Sequence, residues 1–299
     1  MRKSSSRTTC SVAGSESSAA EKRSVSTRTF VEGNVRLNAQ YNGSSFFDLL
    51  RVENPHLLPD DTVWNRSVVE SIPHGTTVLA MKCAHGVLVA GDRLATAGHS
   101  VASRDVVKVF GTDSYSCMAI SGAAGPAIEM ARVLSVELEH YEKIEGQALE
   151  LEGKANKLSQ MLRQNLPAAM QGLAVVPLFA GFDLRRKTGR LWKFDITGGR
   201  YEETEFDATG SGGVYARETL KQFWRPDITQ SEAVGLAVRA LTAAADEDRA
   251  TGGVDLERGI YPVVKICSAE GIEDGVESRI EEAYLSVVSE RRTNGEPRA

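Results

Sequence analysis

The chain has few of the side chains that bind transition metals. Its 299 residues include four cysteines and five histidines, and neither type is clustered. No two cysteines stand in the Cys-X-X-Cys spacing that is typical of zinc sites, so we expect no metal and no cofactor. Cys83, Cys117 and Cys267 lie in apolar stretches, which favours buried free thiols in a reducing cytoplasm.

The chain also lacks an excess of positive charge and a long apolar run. Lysine and arginine number 35 against 40 acidic residues, whereas a general nucleic-acid binder carries a basic surface. The longest uncharged run, residues 164–182, is interrupted by two prolines and by Gly172, which excludes a membrane span there. We therefore expect no nucleic-acid partner, no membrane and a cytoplasmic location.

The N-terminal quarter of the chain is poor in apolar side chains. Residues 1–29 contain 13 serines or threonines, six basic residues and two acidic ones, a composition that predicts disorder. No apolar segment follows this basic start, so a secretory signal is not expected, whereas a transit peptide remains an alternative. Residues 30–75 are interrupted by prolines and turn residues around one amphipathic stretch, 45–52, which indicates an arm lying on another surface.

From Thr76 onward the pattern predicts one domain in which blocks of strands alternate with pairs of helices. This order favours an α+β fold with packed antiparallel sheets between helical layers, and not the strict βαβ alternation of a doubly wound sheet. A short frayed tail is expected from about residue 292. The predicted strands are 77–81, 87–90, 106–110, 116–120, 174–182, 190–196 and 261–266, with an extended segment at 202–208. The predicted helices begin at Pro126 and at Leu149, the second ending before Pro167, and cover 214–224, 230–248 and 277–291.

The junction between the arm and the first predicted strand contains Gly75 and Thr76. If the chain is cut after Gly75, Thr76 presents a hydroxyl nucleophile and a free α-amine on one residue. A hydroxyl is a weak nucleophile at neutral pH, and an α-amine with a pKa of about 7.7–8.0 can take its proton. Glycine before the cut leaves the preceding carbonyl unhindered. A Gly-Thr turn before a strand is the simpler structural alternative.

Strand geometry predicts that two charged residues lie near Thr76. A hairpin that turns about Ala84 places Thr76 opposite Asp92, and opposed residues in an antiparallel pair lie about 4.5–5.5 Å apart. A second reversal about Ser100 brings Lys108 back towards Asp92. A lysine ammonium lowers the proton affinity of a nearby hydroxyl, and an aspartate beside it orients and compensates that cation. The alternatives are a turn aspartate and an exposed lysine, although a charge in so apolar a strand usually has a partner.

Seven short motifs stand in a specific order along the chain: Gly75-Thr76-Thr77, Gly91-Asp92-Arg93, Thr96, residues 104–108, Ser121-Gly122-Ala123-Ala124-Gly125, residues 209–213 and residues 248–253. Each motif is weak alone. In this order and spacing they resemble the proteasome β subunits of the actinobacterial type, and the similarity extends from about residue 45 to residue 291.

This resemblance implies a role for each matching residue. Thr76 would be the N-terminal nucleophile of a threonine endopeptidase, exposed by autocatalytic cleavage at Gly75-Thr76, with Asp92 and Lys108 as its charged neighbours. The backbone N–H of Gly122 would stabilise the negative charge that develops on the attacked carbonyl. The network around the Thr76 amine would be completed by Ser211, Asp248 and Thr251. Many family members have serine at position 251, so this threonine is a departure that keeps the hydroxyl.

The resemblance also implies how a peptide substrate would bind. Its backbone would be added as a strand to groups offered by Thr96, Gly122 and Ala124. The pocket for the side chain before the cut bond would be lined by Ala95, Val106 and Ile120. These three residues are uncharged and apolar, so we expect a preference for apolar side chains at that position.

For the whole molecule, the resemblance implies the four-layer α-β-β-α sandwich of the N-terminal-nucleophile hydrolases. Residues 1–75 would be a propeptide and 76–299 the catalytic domain. The β subunits would form stacked seven-membered rings with α-subunit rings outside them, served by a ring-shaped ATPase that delivers unfolded or tagged proteins. We also expect the arm to dock on a neighbouring subunit before its removal, through Phe46, Phe47, Leu49 and Leu50.

Three other functions are weighed against this one. Another N-terminal-nucleophile amidohydrolase would need a closed polar pocket, which the apolar pocket residues disfavour. The simpler bacterial threonine protease that works without an α ring is shorter and has no long arm. A non-catalytic ring subunit would have no Gly-Thr cleavage point and no lysine partner for Asp92.

Overall fold

The computed structural model describes residues 75–97 and 100–293. The predicted disordered segment 1–29, the rest of the arm up to residue 74 and residues 294–299 lie outside the described part. The last helix continues to Thr293, so residues 292 and 293, which were expected to be frayed, are helical.

Twelve strands and six helices form the described part of the chain. The strands are β1 (Thr77–Cys83), β2 (Gly86–Gly91), β3 (Ala95–Ala97), β4 (Ser100–Ser103), β5 (Val109–Gly111), β6 (Ser116–Ala119), β7 (Leu178–Asp183), β8 (Thr188–Phe194), β9 (Arg200–Glu203), β10 (Phe206–Gly210), β11 (Val263–Ser268) and β12 (Gly271–Asp274). The helices are α1 (Ala124–Glu145), α2 (Leu151–Gln164), α3 (Leu166–Ala169), α4 (Gly213–Phe223), α5 (Gln230–Glu247) and α6 (Glu277–Thr293).

Two five-stranded antiparallel sheets stack face to face. The first sheet has the strand order β10-β1-β2-β11-β12 and the second has the order β5-β6-β7-β8-β9. A separate two-stranded ribbon is formed by β3 and β4. Side chains alternate along β1, so Val78 and Ala80 pack between the sheets while Leu79 and Met81 pack against α4, α5 and α6.

The second sheet is covered on its outer face by α1 and α2. Leu134 and Leu158 from these helices pack against Phe179 and Trp192 of the sheet. The layers are therefore helix, sheet, sheet and helix, and the predicted four-layer sandwich is confirmed. Because both faces of β1 and β2 are buried, these strands read as continuous apolar runs and not as alternating ones.

The helix predictions hold with small shifts at the ends. Apolar side chains at steps of three and four bury one face of α1, which begins two residues before the predicted Pro126. Thr229 and Glu232 form a reciprocal capping box that defines the start of α5. Pro167 lies in the first turn of the short helix α3, where its missing N–H costs nothing.

The hairpin register predicted about Ala84 is wrong by one residue. In the structure Met81 pairs with Leu88 and Cys83 with Gly86, because the turn contains two residues, Ala84 and His85. His85 adopts φ 65°, the left-handed conformation that such a tight hairpin turn uses. Thr77, and not Thr76, is therefore level with Asp92, and its carbonyl accepts a hydrogen bond of 3.0 Å from the Asp92 amide.

Other strand predictions were also incomplete, and the predicted strand 174–182 begins only at Leu178. The extended segment 202–208 is two strands, β9 and β10, that belong to different sheets. Of the predicted strand 106–110 only Val109 and Phe110 lie in β5. The ribbon β3–β4 and strand β12 were missed, since they are only three or four residues long.

The three cysteines of the described residues are free and buried, as predicted. Burial raises the pKa of the Cys83 thiol to about 11. Cys117 and Cys267 lie on opposite sheets with their sulfur atoms 3.3 Å apart. Within residues 75–97 and 100–293, no helix has both the length and the apolarity to cross a membrane.

Candidate active site

The Gly75-Thr76 peptide bond lies at the start of β1 and is intact in the structure. The Thr76 side chain is buried, and its hydroxyl donates a hydrogen bond of 2.5 Å to the carbonyl oxygen of Gly75. The Nζ of Lys108 donates to the same oxygen at 3.1 Å. The carbonyl that precedes Thr76 is therefore held by a hydroxyl and by a cation at once.

Position 75 has no room for a side chain. A β-carbon added there would overlap the Thr96 hydroxyl and would lie 2.8 Å from the Ala250 carbonyl oxygen. The tight packing around position 75 therefore requires glycine there. Thr96, predicted to bind substrate backbone, is located beside the chain that precedes the Gly75-Thr76 bond.

Asp92 lies at the end of β2 and has no solvent exposure. One carboxylate oxygen accepts 2.7 Å hydrogen bonds from the Thr77 amide and from Lys108 Nζ. The other oxygen accepts from the amides of Leu94 at 2.9 Å and Gly252 at 2.8 Å. Four donors offset the cost of burying this charge, so the side chain has a single defined orientation.

Lys108 is 2% exposed and uses all three of its ammonium hydrogens. They go to Asp92 at 2.7 Å, to the Leu94 carbonyl at 2.5 Å and to the Gly75 carbonyl. Burial lowers the pKa of Lys108, while the charge and hydrogen bond of Asp92 and the more distant charge of Asp248 oppose that shift. The predicted approach of Lys108 to Asp92 is confirmed, although Lys108 itself precedes β5.

A second group of polar side chains lies on the other side of Thr76. The amide of Ser211 donates 2.9 Å to the Thr76 carbonyl, and its hydroxyl donates 2.5 Å to the Asp248 carboxylate. The hydroxyl of Thr251 donates to the same carboxylate oxygen at 2.6 Å. The three residues predicted to surround the amine therefore form one cluster, and Ser211 connects it to the Thr76 backbone.

Thr77 also belongs to this cluster, and sequence reasoning assigned it no role. Its hydroxyl lies 2.5 Å from that of Thr251 and accepts a 3.0 Å hydrogen bond from the Gly212 amide. The side chain is completely buried. A threonine at the head of an apolar strand needs a polar partner, and that was the available signal.

Gly122 lies beside Thr76, and its amide is not used in the pairing with Val175. Gly122 and Val175 form an isolated antiparallel bridge in which the two hydrogen bonds are made by the residues on either side, Ala123 to Ala174 and Val176 to Ser121. In such a pair the amide of the central residue points away from its partner. Gly122 adopts φ 96°, and a β-carbon would collide with the Ala174 carbonyl. Only glycine suits this position.

A small cavity next to Thr76 is lined by most of the predicted substrate-binding residues. It gathers Ala95, Val106, Ile120, Gly122 and Ala124 around Gly75 and Thr76. Two lining residues were missed, Ser121 and Ala127. Ala127 lies on α1 one turn after Ala124, which was the signal that could have identified it. Among the described residues no three potential metal ligands converge.

The fold and the site define a class of protein before any comparison. A four-layer sandwich of two antiparallel sheets between helical layers is the fold of the N-terminal-nucleophile hydrolases, and in this chain a buried Gly-Thr step lies at the head of β1 next to an aspartate and a lysine.

Comparison with known proteins identifies the family. Residues 72–256 match the model of the family described as proteasome subunit. The chain is 51% identical to proteasome subunit beta of Acidimicrobium ferrooxidans, over 85% of this chain and 92% of that protein. It is 48% identical to proteasome subunit beta of Streptomyces griseus, over 83% of this chain and 89% of that protein. The chain belongs to the proteasome subunit family and, within it, to the β subunits, which are proteases.

Proposed function

We propose that the chain is a threonine-type endopeptidase whose nucleophile is Thr76, exposed by autocatalytic cleavage after Gly75. One observation carries this proposal: the Thr76 hydroxyl and the Lys108 ammonium both contact the Gly75 carbonyl oxygen, at 2.5 Å and 3.1 Å. A nucleophile and a cation on the same carbonyl are the parts that an acyl transfer needs.

The first reaction is the cleavage of the chain itself. The Thr76 hydroxyl oxygen bonds to the Gly75 carbonyl carbon, the peptide C–N bond breaks, and the proton of the hydroxyl passes to the leaving nitrogen. An ester then joins Gly75 to the Thr76 side chain. Water hydrolyses this ester, releases residues 1–75 with a free carboxylate, and leaves a 224-residue chain that begins at Thr76.

The second reaction is the hydrolysis of substrates by the exposed residue. The α-amine of Thr76 takes the proton of its own hydroxyl, and the hydroxyl oxygen bonds to a substrate carbonyl carbon. The peptide C–N bond then breaks, and the proton passes from the α-amine to the leaving nitrogen, which departs as a free amine. The Gly122 amide meets the developing oxyanion, Lys108 with Asp92 favours ionisation of the hydroxyl, and water releases the acyl group. The cavity beside Thr76 is apolar, so it favours apolar side chains before the cut bond.

In this mechanism the α-amine of Thr76 is held in place by Ser211, Asp248 and Thr251. Ser211 is hydrogen-bonded to the Thr76 carbonyl and to Asp248, so it connects the carboxylate to the residue whose nitrogen cleavage releases. Thr251 donates to the same carboxylate oxygen as Ser211, so the hydroxyl that this threonine keeps supports the proposed role.

Membership of the family supports assembly into the rings of the proteasome core. We extend this to partners that the resemblance implies: an α-subunit ring on each side, a ring-shaped ATPase, and unfolded or tagged proteins as substrates. Enclosure of the site would select unfolded chains, so the pocket itself need not be selective.

The decisive experiment uses the assembled particle with Thr76→Ala. We expect the intact mass to retain residues 1–75 and peptidase activity to fall to background, whereas wild type shows a 224-residue chain. Thr76→Ser, which keeps a hydroxyl, should still be processed and remain active. Unchanged activity in Thr76→Ala would show that Thr76 is not the nucleophile and would overturn the proposal.

A further inference from the structure

We propose that Thr77 is a positioning residue that connects the two halves of the site around Thr76. The inference rests on the proposed function, in which the Thr76 amine is the general base held by Ser211 and Asp248. Thr77 contacts one half through its backbone and the other through its hydroxyl.

The backbone of Thr77 is attached to Asp92 in both directions. Its amide donates 2.7 Å to the Asp92 side chain, and its carbonyl accepts 3.0 Å from the Asp92 amide. Asp92 in turn holds Lys108. The residue directly after the nucleophile is therefore fixed to the buried ion pair by two hydrogen bonds.

The hydroxyl hydrogen bonds of Thr77 have one consistent direction. Thr251 has a single hydroxyl hydrogen and gives it to the Asp248 carboxylate, which only accepts. Thr251 must therefore accept from Thr77 across the 2.5 Å that separates their hydroxyl oxygens. Thr77 in turn accepts from the Gly212 amide. The chain of donors runs from Gly212 through Thr77 and Thr251 to Asp248, and each bond polarises the next.

The hydroxyl pair is closed to water by its surroundings. Thr77 has no solvent exposure and Thr251 only 4%. A β-carbon at Gly212 would lie 2.5 Å from both hydroxyl oxygens, so no space is left beside them. Water cannot replace the Thr77 hydroxyl if it is removed, and Thr251 would then lose the donor that orients it.

Removal of the hydroxyl weakens the hydrogen bond that Thr251 gives to Asp248. The negative charge of the carboxylate is then less satisfied and attracts the Thr76 ammonium more strongly. Because this favours the protonated amine, the pKa of the Thr76 amine rises. The general base is then available only at higher pH, while the substrate pocket is unchanged.

The test compares Thr77→Val and Thr77→Ser in the assembled, processed particle. We expect Thr77→Val to lower kcat about tenfold, as the loss of one hydrogen bond does, with KM unchanged and the acid limb of the kcat–pH profile shifted to higher pH. Thr77→Ser keeps the hydroxyl and should retain the wild-type kcat and the wild-type kcat–pH profile. Thr242→Val removes another buried threonine hydroxyl, on α5, whose partner is the Val238 carbonyl, and should change neither.

Two results would overturn the inference: a Thr77→Val particle with the wild-type kcat and profile, or a Thr77→Ser particle as impaired as Thr77→Val. If Thr77→Val remains uncleaved while Thr77→Ser is processed, the Thr77 hydroxyl is already required to position Thr76 for the cleavage after Gly75, and the inference holds. A Thr77→Val/Thr251→Val pair no slower than Thr251→Val alone would support action through Thr251, whereas additive losses would contradict it.

Thr76→Ala in the same preparations separates the two proposals. If that variant keeps its activity, the proposed function fails. If it loses activity while Thr77→Val behaves as wild type, only the role of Thr77 fails.

Discussion

A carboxylate lies near Thr76 on each of its two sides, and the two carboxylates are stabilised by different interactions. On one side Asp92 and Lys108 form a charge pair at most 2% exposed, and each makes several hydrogen bonds to the backbone. On the other side Asp248 is half-buried, Ser211 is exposed, and the contacts pass mainly between hydroxyls and one carboxylate.

This difference predicts two kinds of sensitivity. A buried ion pair cannot lose one partner without leaving a charge that water does not reach, so its loss affects folding and catalysis together. An exposed member of the second cluster, such as Ser211, can exchange a lost hydrogen bond for water, so its loss lowers activity and leaves folding almost untouched.

The largest effect is expected from Lys108→Met, which leaves the Asp92 carboxylate buried without its cation. We expect unfolding of the unassembled precursor, measured with urea, to become easier by about 3–5 kcal/mol. Peptidase activity should fall by about 1,000-fold or more, as when a member of a cooperating catalytic set is removed.

Lys154→Met provides the matched control for that variant. Lys154 is also buried and ion-paired, with Asp113, but lies on α2 on the outer face of the second sheet. It should lose similar stability and keep its activity per folded particle. Equal losses of activity in the two variants would mean that the Lys108 effect is only structural.

The next largest effect is expected from Asp92→Asn, in the pH dependence of peptidase activity. Asp92 is the main influence that raises the pKa of Lys108 against the lowering by burial. In Asp92→Asn that influence is gone, the neutral amine is favoured, and the pKa of Lys108 falls further. If the charged form assists Thr76, the alkaline limb of activity should move to lower pH by about 1–3 units.

The pH profile is measured at raised enzyme concentration, because the residual activity of Asp92→Asn is low. Ser211→Ala, on the other side of Thr76, should leave the alkaline limb in place. A limb that stays in place in Asp92→Asn, or moves to higher pH, would contradict a catalytic role for the charged lysine.

The smallest effect is expected from Ser211→Ala. The variant removes a hydrogen bond to a carboxylate, so activity should fall by about 10- to 100-fold. Because Ser211 is exposed, the free energy of unfolding should change by less than about 0.5 kcal/mol. Ser286→Ala, an exposed serine near Glu290 on α6, is the matched control and should change neither quantity.

Much of the fold could be predicted because its signals are local. The period of three and four along α1 and the continuous apolar runs of β1 and β2 identify their elements directly. The register of the first hairpin could not be predicted. A two-residue turn with a left-handed residue usually contains glycine or asparagine, and Ala84-His85 has neither.

The site was predictable to the extent that strands position it. The hairpin argument brought Asp92 and Lys108 together, with an error of one residue in the register. Asp248 is 37 residues from Ser211, and Thr251 is 174 residues from Thr77. No local pattern connects such distant residues, so their proximity could be predicted only from the resemblance. A role for Thr77 was not predicted at all.

The three hydrogens of the Lys108 ammonium have one further consequence. In the uncut chain all three have acceptors, and one of these is the Gly75 carbonyl. Cleavage would remove that acceptor and leave one donor vacant beside the Thr76 hydroxyl. In the proposed function, the last carbonyl of the released segment thus occupies the hydrogen-bonding position beside the Thr76 hydroxyl, and the cut that creates the N-terminus would also free the Lys108 ammonium to donate to that hydroxyl.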